Sequence, residues 1–153
     1  MFVINDGQLI SYNGKAHTVE IPRQVVVIGE NSFFNNAEVH RIIVGENVKR
    51  IESSAFHGCG ALKEIVLPDR LESVGEIIKK CNQVKWIFSN PSTVGEKYAT
   101  EHGTPVVPCE CLDQDWYISN GKVLRCFLKS EKAIALPADV HTLDHEYLKI
   151  FAN

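Results

Sequence analysis

Short apolar segments recur along the chain at a nearly constant spacing. Three of them, Val19–Pro22, Ile42–Gly45 and Ile65–Pro68, each begin 23 residues after the one before. In each segment apolar residues stand two apart and a proline or glycine follows, which is typical of a short β-strand that ends in a turn. The pattern therefore predicts one short strand in each repeat.

Positions between these segments keep the same spacing. The matching columns are Val25, Val48 and Leu71; Ile28, Ile51 and Val74; Phe33 and Phe56; and, after the loss of one residue in the third unit, Asn36, Cys59 and Cys81. The fourth strand then starts at Ile87. A single unit cannot bury its apolar side, but units stacked in register form parallel ladders around a continuous interior. The spacing therefore predicts a solenoid, with a second inward-facing turn in each unit.

The two ends of the chain resemble each other. Phe2–Leu9 matches Trp116–Val123, and the two segments centre on Asp-Gly and Asn-Gly, which are strong signals for a β-hairpin. Each hairpin leads into a strand that ends in proline, Val19–Pro22 and Ile134–Pro137. The chain is thus expected to start the same module twice.

The repeats are followed by a segment with helical spacing. Val94, Tyr98 and Ala99 lie on one side of the predicted helix, Ser92 or Thr93 can cap its first turn, and Gly103 can end it. These residues predict one amphipathic helix. The following segment, Pro105–Cys111, is interpreted as a connector.

The repeat resembles the BspA-type leucine-rich repeat, whose signature is I-x-I-P, V-x-x-I, A-F-x-x-C and L-x-x. The middle unit matches best, at Val48, Ile51, Ala55-Phe56, Cys59 and Leu62. The third unit departs from the signature at Glu76–Lys79, which puts a local helical turn in doubt there. The family often closes an array with a helix similar to the one predicted here. The resemblance implies a β-rich α/β solenoid, a right-handed leucine-rich-repeat superhelix with short parallel strands, flanking β-hairpins and one capping helix.

Four segments are expected along the chain. They are an N-terminal β-hairpin at 1–17, leucine-rich repeats at 18–91, a capping helix and connector at 92–111, and a second hairpin with a partial repeat at 112–153.

Composition and charge exclude several classes of partner. The formal net charge of −3 comes from scattered residues, so there is no basic stripe for nucleic acid. No apolar run approaches the roughly 18 residues that a membrane span needs. An acidic residue, Asp6, and a turn lie where a signal peptide would have its apolar region, and five cysteines fit a reducing compartment. We expect a cytoplasmic protein from the sequence as it stands, and a cell-surface or secreted one if a leader was removed.

Candidate residues for catalysis or metal binding are few. Cys59 and Cys81 share a repeat position and are expected to be buried thiols. Cys109 and Cys111 supply two ligands where a structural zinc site needs four. His141 and His145 stand in the wrong order for a zinc-binding helix and are expected to be solvated. The sequence therefore predicts no catalytic residue, metal or cofactor, and a small thiol- or metal-dependent enzyme using Cys109 and Cys111 is the alternative.

The outward side of the repeat strands is the candidate binding surface. With Ile42 and Val44 pointing inward, strand alternation sends the residues between and beside them outward. The partner-binding residues predicted in this way are Arg41, Ile43, Glu64, Val66, Trp86 and Phe88. Three of them, Ile43, Val66 and Phe88, are expected to form an exposed apolar column beside Trp86, with charged neighbours, as in many protein-binding surfaces. The alternative is that these residues merely suit a parallel ladder and that the C-terminal hairpin folds over them.

The predicted function is a non-catalytic protein–protein interaction or scaffolding module, with a protein partner and with neither nucleic acid nor membrane insertion. The resemblance implies a second reading, a fragment for surface adhesion or host recognition, because such repeats serve in adhesion in bacteria and some protists. Self-association through the ends of the solenoid is a further alternative.

Overall fold

The computed structural model describes residues 1–109, 116–119, 122–126 and 142–143. The chain divides into two compact units, Met1–Cys109 and Glu110–Asn153. In chain order the described elements are β1 (Phe2–Asn5), β2 (Gln8–Tyr12), β3 (Thr18–Glu20), β4 (Val27–Ile28), β5 (Arg41–Ile43), β6 (Arg50–Ile51), β7 (Glu64–Val66), β8 (Ser73–Val74), β9 (Trp86–Phe88), α1 (Val94–Glu101), β10 (Val106–Val107), β11 (Trp116–Ser119), β12 (Lys122–Cys126) and β13 (Thr142–Leu143). The division into the four segments expected from the sequence stays a prediction.

The repeat strands form one parallel sheet, which we call sheet B, in the order β10-β9-β7-β5-β3. Its central column pairs Val19 with Ile42, Ile42 with Ile65, and Ile65 with Ile87. These are the residues that the 23-residue spacing aligned, so the predicted register is confirmed. The first unit is a β-solenoid of about four turns with parallel strands and one helix.

A second sheet, sheet A, runs along another side of the solenoid in the order β1-β2-β4-β6-β8. Ile28 pairs with Ile51 and Ile51 with Val74, as the spacing predicted, and Leu9 of the hairpin pairs with Ile28. The sequence indicated inward-facing turns here but not strands, because a two-residue strand is too short to show alternation. The coils that contain β3, β5 and β7 therefore each contribute one strand to each sheet.

The apolar interior lies between the two sheets and the turns that join them. Phe33 and Phe56 are fully buried in consecutive coils, with their ring centroids 5.4 Å apart in an edge-to-face arrangement. Next to them runs a polar column in which each side chain donates to a carbonyl of the preceding coil. The three contacts are Asn36 Nδ2 to Gly14 O at 3.1 Å, Cys59 Sγ to Phe33 O at 3.1 Å, and Cys81 Sγ to Phe56 O at 2.9 Å. The carbonyls of Phe33 and Phe56 also accept a backbone N–H within their own turn, so the thiols add a second hydrogen bond that joins neighbouring coils.

Helix α1 lies where the sequence predicted it. The side chain of Thr93 accepts a hydrogen bond from the N–H of Glu96, which caps the first turn, and Gly103 follows the helix at a φ of 66°. Tyr98 and Ala99 are buried against the last repeat. Although the third unit lacks the Ala-Phe pair, its ladder is intact, and Ile77 fills the interior at that level.

The segment interpreted as a connector contains a short strand that the sequence did not indicate. Val106 and Val107 form β10, which pairs in parallel with Ile87 and Phe88 and adds one more strand to sheet B. The edge of β9 offers hydrogen-bonding partners to the backbone groups of these two β-branched residues, which the local sequence does not reveal.

The second unit contains a three-stranded sheet in the order β11-β12-β13. Its hairpin has a register shift between Tyr117 and Ile118, and the hairpin of β1 and β2 has one between Val3 and Ile4. In both units a parallel strand then pairs with the second hairpin strand. Both units thus contain the predicted hairpin, followed by a parallel strand. The strand expected at Ile134–Pro137, and Cys111, His141 and His145, lie outside the described residues.

Candidate functional site

The outward side of sheet B, which we call the outer face, is formed by alternate residues of β3, β5, β7 and β9. Ile42, Ile65 and Ile87 are fully buried in the interior, so their neighbours along each strand point away from it. Two outward columns result. One contains Thr18, Arg41, Glu64 and Trp86, and the other contains Glu20, Ile43, Val66 and Phe88.

An ion pair fixes the middle of the first column. Arg41 Nε lies 2.6 Å from Glu64 Oε2, and the two side chains are 27% and 14% exposed. Because β5 and β7 hold the two residues in register, the pair closes with little loss of side-chain freedom. It therefore presents a preorganised polar surface, in contrast to the mobile ion pairs of a typical protein surface.

The predicted exposed apolar column is wrong at two of its three residues. Val66 is 8% exposed and Phe88 is fully buried, whereas Ile43 is half-buried. Trp86, in the neighbouring column, is also half-buried. Strand alternation indicates the side from which a residue leaves the sheet, but burial depends on tertiary contacts that a local pattern does not contain. Whether these six residues bind a partner stays a prediction, and the accessible part of the outer face lies toward β3 and β5.

A groove of about 420 Å³ opens at that end of the outer face. It is lined by Glu20, Ile21, Arg23, Ile43, Gly45, Glu46 and Asn47. Glu20, Arg23 and Glu46 are exposed, and Ile43 supplies an apolar surface between them. Asn47 Nδ2 donates to the carbonyl of Arg23 at 2.9 Å, which ties the turns of two coils together. A groove with charged side chains around an apolar one can bind an extended segment that carries both polar and apolar side chains.

The turn residues of this groove were missed by reasoning from the sequence. Arg23, Glu46 and Asp69 occupy the same position in successive repeats, directly after each strand and its proline or glycine. The sequence feature that could have indicated the groove is the presence of a charged residue at this repeat position in each of the three units. Gly45 also matters, because a Cβ there would lie 3.1 Å from the carbonyl of Ile21 and would press the two coils apart.

The thiols of the first unit are poorly suited to catalysis. Cys109 is half-buried, and its N–H donates to Asn90 Oδ1 at 3.0 Å. Burial, together with the negative charges of Asp69 and Glu46, raises the pKa of the Cys109 thiol. Since the thiolate is the nucleophile, a raised pKa lowers reactivity at neutral pH.

Cys59 and Cys81 are buried, as predicted, and both are free thiols. The hydrogen bond with Cys81, followed by burial, raises the pKa of Cys59. In the part of the chain that the structure describes, no three His, Cys, Asp or Glu side chains come together as a metal site. Within the same residues, no helix is long and apolar enough to cross a membrane.

Comparison with known proteins identifies the repeat. No curated protein and no solved structure matches the chain. The family model for the BspA type leucine rich repeat region matches residues 8–99 in six copies. That span includes β2 to β9 and most of α1, so it contains both sheets of the solenoid. The chain belongs to the BspA-type leucine-rich repeat family.

Proposed function

We propose that this protein is a protein-interaction module that binds an extended polypeptide through the accessible part of its outer face. The observation that carries the proposal is the groove beside Ile43, where an apolar side chain lies between the exposed charges of Glu20, Arg23 and Glu46. The family supports it at a coarser level, since leucine-rich repeats suggest a protein-interaction repeat module.

The ladder supplies the rigidity that such a surface needs. Successive coils place equivalent side chains about 4.8 Å apart across the sheet. Backbone pairing between the strands fixes the positions of these side chains relative to one another. A preorganised surface loses little conformational entropy on binding. The Arg41–Glu64 pair forms the polar boundary of this surface, and Trp86 continues it along the first column.

The six residues predicted from the sequence divide into two roles in this proposal. Arg41, Ile43 and Glu64 contact the partner directly, with Trp86 at the far end of the surface. Val66 and Phe88 do not contact the partner in this proposal because they are buried. An enzyme that uses Cys109 is disfavoured by the raised pKa of its thiol.

The test is site-specific photocrosslinking in an extract of the source cells. A benzophenone amino acid replaces Ile43 in one variant and Arg50, which is exposed on β6 of sheet A, in a matched control. We expect a discrete crosslinked protein from position 43 that is absent from position 50. The crosslink should also disappear when Glu46→Lys reverses the charge of the rim. Equal crosslinking from both positions, or none from position 43, would contradict the proposal.

A further inference from the structure

The two sheets of the solenoid end differently on the side where the chain begins. Sheet A continues beyond β4 with β2 and then β1, whereas sheet B ends at β3. At the opposite side, α1 packs against the last repeat and β10 extends sheet B. Among the described residues, strand β3 therefore has β5 on one edge and no strand on the other.

The backbone of β5 shows which groups of β3 lie on that free edge. Arg41 N–H donates to the carbonyl of His17 at 2.9 Å, and Ile43 O accepts from the N–H of Ile21 at 2.9 Å. Residues 41 and 43 thus direct their backbone groups toward the preceding strand. Thr18 and Glu20 are in register with them, so the N–H and C=O groups of these two residues point to where another strand would precede β3.

These groups are accessible and unused within the described residues. No hydrogen bond recorded for that part of the chain involves the backbone of Thr18 or Glu20 on the side away from β5. Both side chains are exposed, and so are the neighbouring Lys15, Ala16 and His17. An edge of this kind is a template for an added strand.

We propose that the free edge of β3 binds an extended segment of another protein, which adds to sheet B as a parallel strand. This goes beyond the outer-face groove, since the segment is held by the backbone groups of Thr18 and Glu20, which binding in the groove does not use. Affinity comes from up to four backbone hydrogen bonds, two to Thr18 and two to Glu20.

The side chains beside the free edge of β3 determine which side chains the bound segment should have. Its residue in register with Val19 continues the apolar column of Val19, Ile42 and Ile65, and is therefore apolar. Its next residue lies beside Glu20, which is exposed and has no ion pair among the described residues. A lysine or arginine there complements the acidic charge. The partner is thus an apolar-then-basic segment in extended conformation.

The probe is a peptide with the sequence of residues 17–22 carrying Glu20→Lys, acetylated and amidated at its ends. It repeats β3 itself, which already forms a parallel strand against β5. When it is titrated into the full chain, we expect saturable NMR shifts at the amides of Thr18 and Glu20. N-methylation at its valine removes an N–H aimed at Thr18 and should weaken binding roughly tenfold.

N-methylation at its lysine is the matched control, because that N–H points away from β3 and its loss should leave affinity nearly unchanged. A Glu20→Lys variant of the protein should bind the lysine peptide less tightly and the unmodified 17–22 peptide more tightly.

Three results would overturn the proposal. The first is no saturable shift at Thr18 and Glu20, and the second is equal weakening by both N-methyl groups. The third is a change in the Thr18 and Glu20 amide shifts when the protein concentration is raised in the absence of peptide. That result would show that a second copy of the chain binds the edge of β3. None of these depends on crosslinking from position 43, so the edge and the outer-face groove are tested separately.

Discussion

The hydroxyl of Tyr98, in the middle of α1, accepts a hydrogen bond from the backbone N–H of Ile77 at 3.2 Å. Ile77 belongs to the third coil, at the place where that coil departs from the repeat signature. Burial raises the pKa of Tyr98 to about 12, so its hydroxyl keeps its proton and also donates to Glu76 at 3.4 Å. A side chain of the capping helix thus completes the hydrogen bonding of the last repeat.

Removing this hydroxyl should weaken the closed end of the solenoid. In Tyr98→Phe the buried N–H of Ile77 loses its partner, and we expect the free energy of unfolding to fall by about 1–3 kcal/mol. Urea denaturation measures the change. Tyr12→Phe is the control, since no described hydrogen bond involves the Tyr12 hydroxyl. Similar losses in the two variants would show that the Ile77 contact contributes nothing specific.

Stability should separate the buried from the accessible residues of the outer face. Phe88→Ala removes a fully buried ring, and we expect a loss of about 3–5 kcal/mol in the free energy of unfolding. Ile43→Ala truncates a half-buried side chain and should cost about 1 kcal/mol. Thermal or urea unfolding of both variants tests whether Phe88→Ala loses more unfolding free energy than Ile43→Ala. A mild effect at Phe88 would mean that this side chain is accessible after all.

The contact between His102 and Glu76 should make stability depend on pH. His102 Nε2 lies 2.8 Å from Glu76 Oε2, and this hydrogen bond raises the pKa of His102 in the folded state. Below the pKa of histidine in the unfolded chain, about 6.5, His102 is protonated and the ion pair stabilises the fold fully. As pH rises through the higher pKa of His102 in the folded state, the imidazole loses its proton and this stabilisation is lost. Glu76→Gln should therefore destabilise the protein at pH 6 more than at pH 9.

NMR titration gives the direct measurement of this effect. We expect the pKa of His102 to lie above the ordinary histidine value in the wild-type protein and to drop in Glu76→Gln. An unchanged His102 pKa in the variant would assign the pH dependence to other groups.

Thiol reactivity distinguishes a structural from a catalytic role for the cysteines. Cys59 and Cys81 should resist alkylation by iodoacetamide until the chain unfolds, because both are buried. Cys109 should react at neutral pH more slowly than the same thiol in the urea-unfolded chain, since its pKa is raised. Peptide mass spectrometry after timed quenching follows each site. Faster reaction of Cys109 in the folded state would revive the thiol-enzyme alternative.

The spacing of apolar and turn-forming residues was sufficient to predict the repeat, its register and the helix that caps it. The positions of Val19, Ile42, Ile65 and Ile87 were aligned by spacing alone, because a stacked coil must place an apolar side chain at the same point in each turn. The helix could be placed from Thr93 and Gly103, whose preferences act over a few residues and are therefore visible in the sequence.

Contacts between residues distant along the chain determine which outward residues are accessible and which backbone edges are free. Ile43 and Phe88 occupy one column and look equivalent in the sequence, yet one is half-buried and the other fully buried. The short strands of sheet A and β10 likewise exist because neighbouring coils offer them backbone partners. How deeply an outward side chain is buried, and whether a two-residue segment pairs as a strand, depend on residues distant along the chain, and the alternation within one segment carries no information about them.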